Sequence, residues 1–422
     1  MYQVSNPTAL LRGHRRLLSR DRAAPRVNRT VVLLGLTSLF TDISSEMVVA
    51  VMPLYLVYVG GFSPLAFGVV DGLYQGATAF VGLAGGFIGD RWRRHKDVAA
   101  AGYGISAVCK LLLATVGTAV SAIGAVVLLD RAGKGIRTAP RDAMISLSTP
   151  PQQLGTAFGV HRALDTTGAM LGPLVAFALL AVAPLAFTSI FVVSFCLALV
   201  GLGILVLFVH PRRAAPGAAT PARPPSLRGA FGLLRIRRYR ALLLAGAALS
   251  LATASDAFVF LALQEELDFG TSLFPLLFVG SAGTYMLLAV PLGALADRVG
   301  RGRVLLGGYV LLLGVYAALL LPLGGWPLLV AALGLLGAYY AATDGVLMAL
   351  GSAVVPDEVR GSGLALLRTA TSMARLLASV LFGALWTLWG IDAAIACFAL
   401  ALAAATAVAA VVLARSPEQA HA

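Results

Sequence analysis

Charged residues are scarce in this chain of 422 amino acids. Asp, Glu, Lys and Arg make up 12% of the sequence, about half of the roughly 25% that is usual in soluble domains. Hydrophobic residues make up 59%, and apolar runs long enough to cross about 30 Å of hydrocarbon recur along the whole length. The length alone would suggest two or three soluble domains, but the recurring apolar runs exclude that class. We therefore predict an all-α integral membrane protein.

Cysteine is also rare, and the common catalytic motifs are missing. Cys109, Cys196 and Cys397 fall in three different apolar runs, which argues against a disulfide framework and favours buried, inert thiols. The sequence contains no G-x-x-x-x-G-K-[ST] nucleotide loop, no H-E-x-x-H zinc motif and no G-x-S-x-G nucleophile motif. The first 30 residues show no short apolar region with a small-residue cleavage site. We expect no cofactor, no bound metal, no enzymatic activity and no cleavable signal.

Twelve membrane spans can be drawn, and one long connection divides them into six and six. The spans lie near 31–59, 65–89, 98–119, 121–147, 155–183, 185–209, 240–264, 272–296, 303–322, 326–355, 361–389 and 391–414. Residues 210–239 are rich in Pro, Ala and Arg, which is typical of a flexible basic linker. The expected domains are a basic tail over 1–30, a six-helix bundle over 31–209, the linker, a second six-helix bundle over 240–414 and a short tail over 415–422.

Basic residues predict how the chain is oriented. They cluster in the N-terminal tail, after span 2, in the linker and after span 8, whereas the loops "VGGFSP", "VGTAV", "LGGWP" and "WGID" contain no Lys or Arg. Because basic residues accumulate on the cytoplasmic side, we expect both termini and the linker to be cytoplasmic in a multi-pass cell (inner) membrane protein. The net charge of +13 then reflects topology and attraction to anionic lipid. Nucleic-acid binding is not expected, since the Arg residues are dispersed and lack interleaved aromatic residues.

The two halves of the chain repeat each other. The stretch "GGFIGDRWRRHKDV" at the end of span 2 matches "PLGALADRVGRGRV" at the end of span 8, with Asp90 aligned to Asp297. Arg162 of span 5 aligns with Arg368 of span 11 at nearly the same offset. Two separate matches at one offset indicate duplication of a six-span unit. Parallel repeats of this kind place a binding site near the bilayer midplane, between the halves.

At these residues the chain resembles the major facilitator superfamily, over essentially its whole length. The resemblance rests on a loop signature and its second copy, which are Gly86-x-x-x-Asp90-Arg91-x-x-Arg94 and Gly293-x-x-x-Asp297-Arg298-x-x-Arg301. We expect a gating motif, in which glycine lets helices approach closely, the Asp lies near a helix N-terminus, and the Arg residues bind carboxylates or helix-end carbonyls of the other half. The simpler alternative is that these Arg residues only mark cytoplasmic loops.

Two further motifs resemble those of proton-coupled members of the superfamily. Arg131-x-x-x-Gly135 in span 4 looks like the basic signature that is associated with proton coupling. Gly168-x-x-x-Gly172-Pro173 in span 5 resembles the signature of drug:proton antiporters, although the residues that follow are larger than usual. Glycines four residues apart permit close helix contact, and proline bends a helix. The resemblance therefore implies efflux by proton antiport.

Charges inside the spans mark the candidate transport site. Asp42 and Glu46, in "TDISSEM", lie one turn apart on one helix face, where a central charge costs roughly 2.5–3.5 kcal/mol on insertion scales. Because two like charges oppose simultaneous ionisation, we predict that they form the proton-coupling pair, with Asp42 the more important. Arg131 and Arg162 are the expected tuning cations. The alternative is a permanent ion pair that holds spans 1, 4 and 5 together.

Other polar residues are assigned to the same cavity or near it. Lys134 shares the polar face of span 4, Asp165 can pair with Arg162 at i,i+3, and His161 either carries a proton or is hydrogen-bonded at a helix packing surface. Further charges inside the spans include Arg375, and the secondary candidates among them are Asp71, Lys110, Asp256, Asp344 and Arg368.

The leading functional hypothesis is a secondary active transporter that moves a small organic molecule by alternating access, in proton-coupled efflux. One alternative is proton-coupled transport of an anionic metabolite, favoured by Arg131, Lys134 and Arg162. An alternative of another class is a non-transporting receptor or a lipid-translocating protein. The expected partners are a small-molecule substrate, protons and membrane lipid, and the transporter is expected to be a monomer.

Overall fold

The computed structural model describes residues 28–77, 94–150, 153–210, 232–344, 346–356 and 359–414. These residues are helical almost throughout, and their helices are numbered α1 to α14 in chain order. The helices are α1 (Arg29–Leu54), α2 (64–77), α3 (His95–Thr115), α4 (Val120–Leu147), α5 (Leu154–Val182), α6 (Phe187–Phe208), α7 (Arg237–Leu251), α8 (Asp256–Leu267), α9 (Pro275–Val299), α10 (Arg301–Leu320), α11 (Gly325–Thr343), α12 (Val346–Val354), α13 (Arg360–Trp389) and α14 (Ile391–Ala414).

The fourteen helices of the described residues make twelve spans, because the seventh span is α7 with α8 and the tenth is α11 with α12. Ten stretches of these residues are long and apolar enough to cross a membrane. Of the two other spans, α2 is described only as far as residue 77, and α4 carries six charged side chains between positions 130 and 142. The predicted twelve-span, all-α architecture is confirmed.

Short turns join successive spans at one end of the molecule. Glycines with a left-handed backbone reverse the chain there, with φ of 63° at Gly61, 66° at Gly117 and 86° at Gly390, a conformation that glycine adopts without a steric cost. We name this the hairpin end, and it contains residues 60–63, 116–119, 183–186, 268–274, 321–324 and 390. The opposite end, where α4 ends at Leu147, α5 begins at Leu154 and Gly300 joins α9 to α10, is named the linker end.

The seventh span is broken, where the sequence predicted one continuous helix. α7 ends at Leu251 and α8 begins at Asp256. The backbone N–H of Ala254 donates to the Tyr316 hydroxyl at 2.8 Å, and that hydroxyl donates to the Ala252 carbonyl at 3.4 Å. A buried tyrosine therefore satisfies backbone groups that the break frees, as a break at membrane depth requires. The tenth span has a similar interruption between α11 and α12.

Glycine allows α1 and α5 to approach closely. A Cβ added to Gly168 would overlap the Leu39 carbonyl oxygen, and one added to Gly172 would lie 2.8 Å from the Ile43 carbonyl oxygen. α5 continues without interruption through Pro173. In the fourth span, Gly135 is buried in α4. The contacts of Gly168 and Gly172 hold α1 and α5 together inside the N-terminal half.

The two halves meet closely where α2 packs against α13. A Cβ on Gly72 would lie 2.8 Å from the Leu376 carbonyl oxygen, so no larger residue fits without moving a helix. The Leu65 backbone N–H donates to Thr387 Oγ1 at 3.0 Å. These contacts lie in the hairpin-end part of both helices. The halves are therefore packed together at the hairpin end in this conformation.

Candidate transport site

A cavity of about 240 Å³ lies between the halves, and we name it the central cavity. α1 to α4 form most of its wall, and Asp256 of α8 and Phe278 of α9 face them. Most of the lining is aliphatic or aromatic. Six side chains in the wall are ionisable acids or bases, and they are Glu46, Asp71, Lys110, Asp130, Arg131 and Asp256. Acidic groups thus outnumber basic groups by four to two.

The two basic residues of the wall are both bound to Asp130. Lys110 Nζ forms an ion pair with Asp130 Oδ1, and Arg131 Nη2 lies 2.5 Å from Asp130 Oδ2. Ser106 Oγ also donates to Asp130 Oδ1, at 2.5 Å. The Arg131 guanidinium lies 4.0 Å from the centroid of the Tyr74 ring, a favourable cation–π arrangement. Arg131 is therefore held by Asp130 and Tyr74, and not by Asp42 or Glu46 as the sequence suggested.

The three other carboxyl groups of the wall have no basic partner. Among the residues that the structure describes, no Lys, Arg or His nitrogen lies within 4.0 Å of Glu46, Asp71 or Asp256. Asp71 accepts a hydrogen bond of 2.6 Å from Ser379 Oγ of α13, and Asp256 accepts one of 2.5 Å from the Tyr340 hydroxyl of α11. The Ser379–Asp71 bond connects the two halves, whereas the Tyr340–Asp256 bond lies within the C-terminal half. Three carboxyl groups without ion pairs thus share a mainly apolar space.

Asp42 belongs to a second cluster, nearer the linker end. Its carboxyl lies within hydrogen-bonding reach of Asp165 on α5, and Arg137 Nη2 lies 4.0 Å from Asp42 Oδ1. A hydrogen bond between two carboxyl groups requires a proton on one of them. Arg141 Nη1 lies 3.8 Å from Asp165 Oδ1. The predicted pair therefore faces two environments, because Glu46 lines the central cavity and Asp42 faces α4 and α5.

The remaining predicted cavity residues surround this second cluster. Lys134 lies within electrostatic range of both Asp42 and Glu46, so it connects the cluster to the central cavity. His161 is buried, and its Nε2 lies 3.0 Å from Ser38 Oγ of α1, so it forms a hydrogen bond at the packing surface of α1 and α5. Arg162 lies 3.9 Å from Asp165 with 78% of its side chain exposed. It is therefore at the outside of the cluster, away from its expected role beside Asp42 and Glu46.

Only part of the predicted gating motif can be located. Gly86, Asp90 and Arg91 of the first copy lie outside the described residues, and Arg94 is exposed immediately before α3. In the second copy, Asp297 occupies the last turn of α9, not a helix N-terminus.

Within this second copy the charged groups are exposed and pair locally. Arg301 Nη2, at the start of α10, lies 3.4 Å from Asp297 Oδ1, and Arg298 is exposed. A Cβ on Gly293 would meet no heavy atom within 4 Å among the described residues. Close helix contact at this glycine, which the sequence suggested, is therefore not observed in this conformation.

Two secondary candidates lie away from the central cavity. Asp344 is exposed at the end of α11 and accepts a hydrogen bond of 3.2 Å from the Tyr285 hydroxyl. Arg368 is an exposed residue of α13. The structure does not bring either of them into the lining of the central cavity.

Tyr74, Tyr340 and Ser379 belong to the site, and the pattern of charged residues in the sequence did not predict them. A signal for Tyr74 was present, since it lies three residues after Asp71 and so on nearly the same helix face. Tyrosine hydroxyls within apolar spans also need a hydrogen-bond partner. Ser379 had no comparable signal, because a serine in a span often bonds to its own helix backbone.

Comparison with known sequences identifies the family. The model described as Major Facilitator Superfamily matches residues 34–286 and 256–422 of this chain. The chain belongs to the Major Facilitator Superfamily. An uncharacterized MFS-type transporter of Methanocaldococcus jannaschii is 32% identical over 372 residues, which cover 85% of this chain and 89% of that protein. An uncharacterized protein of Mycobacterium tuberculosis is 33% identical over 154 residues, 36% of this chain and 37% of that protein.

Solved structures of the superfamily share the fold. The nucleoside transporter NupG superposes with a TM-score of 0.73 at 16% identity, covering 93% of this chain and 100% of that chain. A POT family transporter in complex with 5-aminolevulinic acid gives a TM-score of 0.75 at 12% identity, covering 92% and 96%. The protein is accordingly a multi-pass membrane protein and a secondary transporter, not an enzyme. Membership of the superfamily also implies a small-molecule substrate.

Proposed function

We propose that this transporter exchanges protons for a small organic molecule that carries a positive charge. The observation that carries the proposal is the set of three carboxyl groups, Glu46, Asp71 and Asp256, in an apolar wall without an ion-pair partner among the described residues. An ionised carboxylate in such a place is costly unless it is compensated. Either a proton or a cationic substrate supplies that compensation. The two would compete for the same groups, which is the requirement for antiport.

A route for the proton is supported by the second cluster. The Asp42 and Asp165 carboxyl groups can share one proton, and Lys134 lies within range of both Asp42 and Glu46. We place the proton-coupling step at Asp42 and Glu46, with Arg137 and Lys134 as the cations that act on them. Arg131 instead holds Asp130 in place. A change in cavity access that moves Lys134 toward one carboxyl would release the proton from it, because a nearby cation favours the charged form.

The proposal also covers the direction of transport and the orientation of the protein in the membrane. The glycine motif that resembles antiporter sequences is expected to permit close helix contact, and Gly168 and Gly172 do pack closely against α1. This packing supports export. Loop charges support a cytoplasmic location for both termini and for the linker over 210–239. The hairpin end is then external. On that topology the contact between α2 and α13 closes the external side of the central cavity.

A second candidate is transport of an anionic metabolite, and Arg375 favours it. Arg375 is an exposed residue near the middle of α13, and in the described part of the chain no carboxylate oxygen lies within 4.0 Å of it. Asp256 and the hydroxyls of Tyr339 and Tyr340 lie within electrostatic range. A free guanidinium beside tyrosine hydroxyls can bind a carboxylate or phosphate.

Proteoliposomes with an imposed pH gradient separate the two candidates. We expect ethidium, an organic cation, to dissipate the gradient reported by an internal pH-sensitive dye, and toluenesulfonate, an aromatic anion, to leave it unchanged. Empty liposomes and the Glu46→Gln variant are the controls for passive leakage. Dissipation by toluenesulfonate alone would support the anion transporter. If neither these two probes nor any member of a panel of amines and acids changed the pH gradient, proton antiport would be contradicted.

A further inference from the structure

A second cavity, of about 250 Å³, lies between the halves at the hairpin end, and we name it the outer pocket. The π-helical turn Tyr55–Val59 after α1 and the start of α2 contribute one side, and α8 and α13 contribute the other. Four aromatic residues and one carboxylate stand in its wall, and these are Tyr58, Phe67, Phe258, Trp386 and Glu265. Phe67 also lines the central cavity. Phe67 is therefore common to the walls of both cavities.

The aromatic residues form a fixed back wall. The Phe258 ring centroid lies 4.9 Å from that of Phe67 in an edge-to-face arrangement, and 5.8 Å from that of Trp386. Phe67 and Phe258 are almost completely buried, whereas Tyr58 at the mouth is 53% exposed. The rings are packed by their neighbours and do not need a ligand to order them. The wall is therefore preorganised, which lowers the entropic cost of binding.

The mouth of the outer pocket is negatively charged. Glu265 is exposed, and no Lys or Arg nitrogen of the described residues lies within 4.0 Å of it. The Tyr58 hydroxyl is within electrostatic range of both Glu265 and Asp268. The sequence contains no Lys or Arg between positions 241 and 297. The accessible rings of Tyr58 and Trp386 and an unneutralised carboxylate in one small space are the chemistry that recognises an organic ammonium ion.

We propose that the outer pocket is a binding site for an organic cation with a tertiary or quaternary ammonium group. The cation would contact the aromatic wall, with Glu265 as its counter-ion. A role for the outer pocket as an intermediate binding site, between the central cavity and the hairpin end, rests on the proposed function. That role requires the transported molecule to be cationic. Binding itself requires no gradient and can be measured separately from transport.

Tritiated choline is a suitable probe, since its trimethylammonium group fits the aromatic wall and its uncharged isostere dimethylbutanol has the same shape. Binding is measured on the full chain purified in detergent, at constant pH and without a gradient. We expect saturable choline binding that the isostere does not compete for. Glu265→Gln and Trp386→Leu should each weaken it about tenfold, and Trp386→Phe should keep most of it. The matched control is Glu266→Gln, which removes the same charge from the next position of α8, outside the pocket lining.

Three results would contradict the proposed binding site in the outer pocket. Equal competition by the isostere would show that the charge is not recognised, and unchanged binding in Glu265→Gln and Trp386→Leu would exclude this pocket. Loss of binding in Glu46→Gln with retention in Glu265→Gln would place the cation in the central cavity alone. Gel filtration of each variant shows whether it folds. Choline binding that depends on Glu265, in a protein that shows no proton exchange, would support the site and contradict only the proposed transport reaction.

Discussion

Asp130 is the residue on which two buried charges, Lys110 of α3 and Arg131 of α4, depend. It is the ion-pair partner of both Lys110 and Arg131, and Ser106 adds a hydrogen bond. Side-chain exposure is 3% for Lys110 and 5% for Arg131. Removing one partner from such a group leaves charges in a place where water cannot stabilise them. Asp130 is therefore a structural residue as well as part of the cavity wall.

Asp130→Asn should lower the free energy of unfolding by about 3–5 kcal/mol, because two buried cations lose their counter-ion and repel each other. Thermal unfolding of the purified variant, followed by intrinsic fluorescence, measures this change. Asp142→Asn in the same helix is the matched control. Its side chain is 41% exposed and pairs with Arg141 at 3.0 Å, so its loss should cost less than about 1 kcal/mol. Equal melting temperatures for wild type and Asp130→Asn would contradict a structural role.

Asp42→Asn should keep substrate exchange but lose accumulation driven by a pH gradient. The neutral amide cannot share a proton with Asp165 or release one to the cavity, whereas the substrate contacts of the central cavity remain. Counterflow and gradient-driven uptake into proteoliposomes, measured on the same preparation, separate the two properties. Glu266→Gln, an exposed change on α8, serves as the control. Wild-type accumulation in both Asp42→Asn and Glu46→Gln would show that the two acids serve structure only.

The pairing of these charges could be predicted only in part. The sequence placed Asp42 and Glu46 inside the bundle and on nearly one face, which the helical repeat alone decides. It did not predict that they face different neighbours, because four residues add about 40° of rotation and 6 Å of rise. It also chose Arg131 and Arg162 as partners, where Arg137 is the nearest cation to Asp42. Which cation meets which acid depends on how far each helix is rotated and shifted, and no single helix contains that information.

Among the helices, α2 and α13 form the contact that closes the hairpin end. Gly68 and Gly72 both stand where a Cβ would meet carbonyl oxygens of α13. Without side chains at these positions, the two backbones approach closely enough for direct contact. Small residues in α2 were visible in the sequence, but their partner helix was not, because the contact joins segments about 300 residues apart.

Gly72→Ala should loosen the hairpin-end contact, because the new methyl group would lie 2.8 Å from the Leu376 carbonyl oxygen. Disulfide formation between cysteines introduced at Leu65 and Thr387, which are joined by a 3.0 Å hydrogen bond, reports the contact in a background without native cysteines. We expect slower cross-linking in the Gly72→Ala protein. Gly203→Ala in α6 is the control, since its Cβ meets nothing within 4 Å and a helix gains up to about 1 kcal/mol from this exchange. Unchanged cross-linking in Gly72→Ala would mean that the helices do not depend on close approach.

The interruption within the seventh span was not predictable from composition. Neither proline nor glycine stands between Leu251 and Asp256, so the usual signals of a break are missing. The deciding group is the Tyr316 hydroxyl, which belongs to α10 and replaces helical partners of the backbone at Ala252 and Ala254. A break that is stabilised from another helix leaves no local trace in the sequence.

The architecture of the entire chain was the most predictable property. The number of spans depends on the length and hydropathy of each segment, which are local properties. The duplication is visible as motifs that recur in the two halves. The described helices end within a few residues of the predicted spans, as in α4, which covers Val120–Leu147 against a predicted 121–147. The orientation in the membrane stays a prediction, since it depends on loop charge and on the lipid around the protein.

Cysteine labelling tests that orientation directly. In a background without native cysteines, a membrane-impermeant maleimide should label Leu323→Cys, in the turn at the hairpin end, from outside intact cells. Thr220→Cys, in the basic linker, should be labelled only after the membrane is permeabilised. Both expectations follow from the concentration of basic residues on one side. Labelling of position 220 from outside would reverse the topology and would place the hairpin end in the cytoplasm.

The six charges of α4 have a consequence for how the chain enters the bilayer during synthesis. Each central charge adds roughly 2.5–3.5 kcal/mol to the cost of insertion, so α4 by itself would be rejected by the translocon. Lys110 of α3 and Asp42 of α1 neutralise Asp130 and Arg137, and both helices leave the ribosome before α4 does. α4 must therefore remain at the translocon until α1 and α3 are in place to pack against it. Assembly of the N-terminal half begins, on this argument, before its fourth helix has reached lipid.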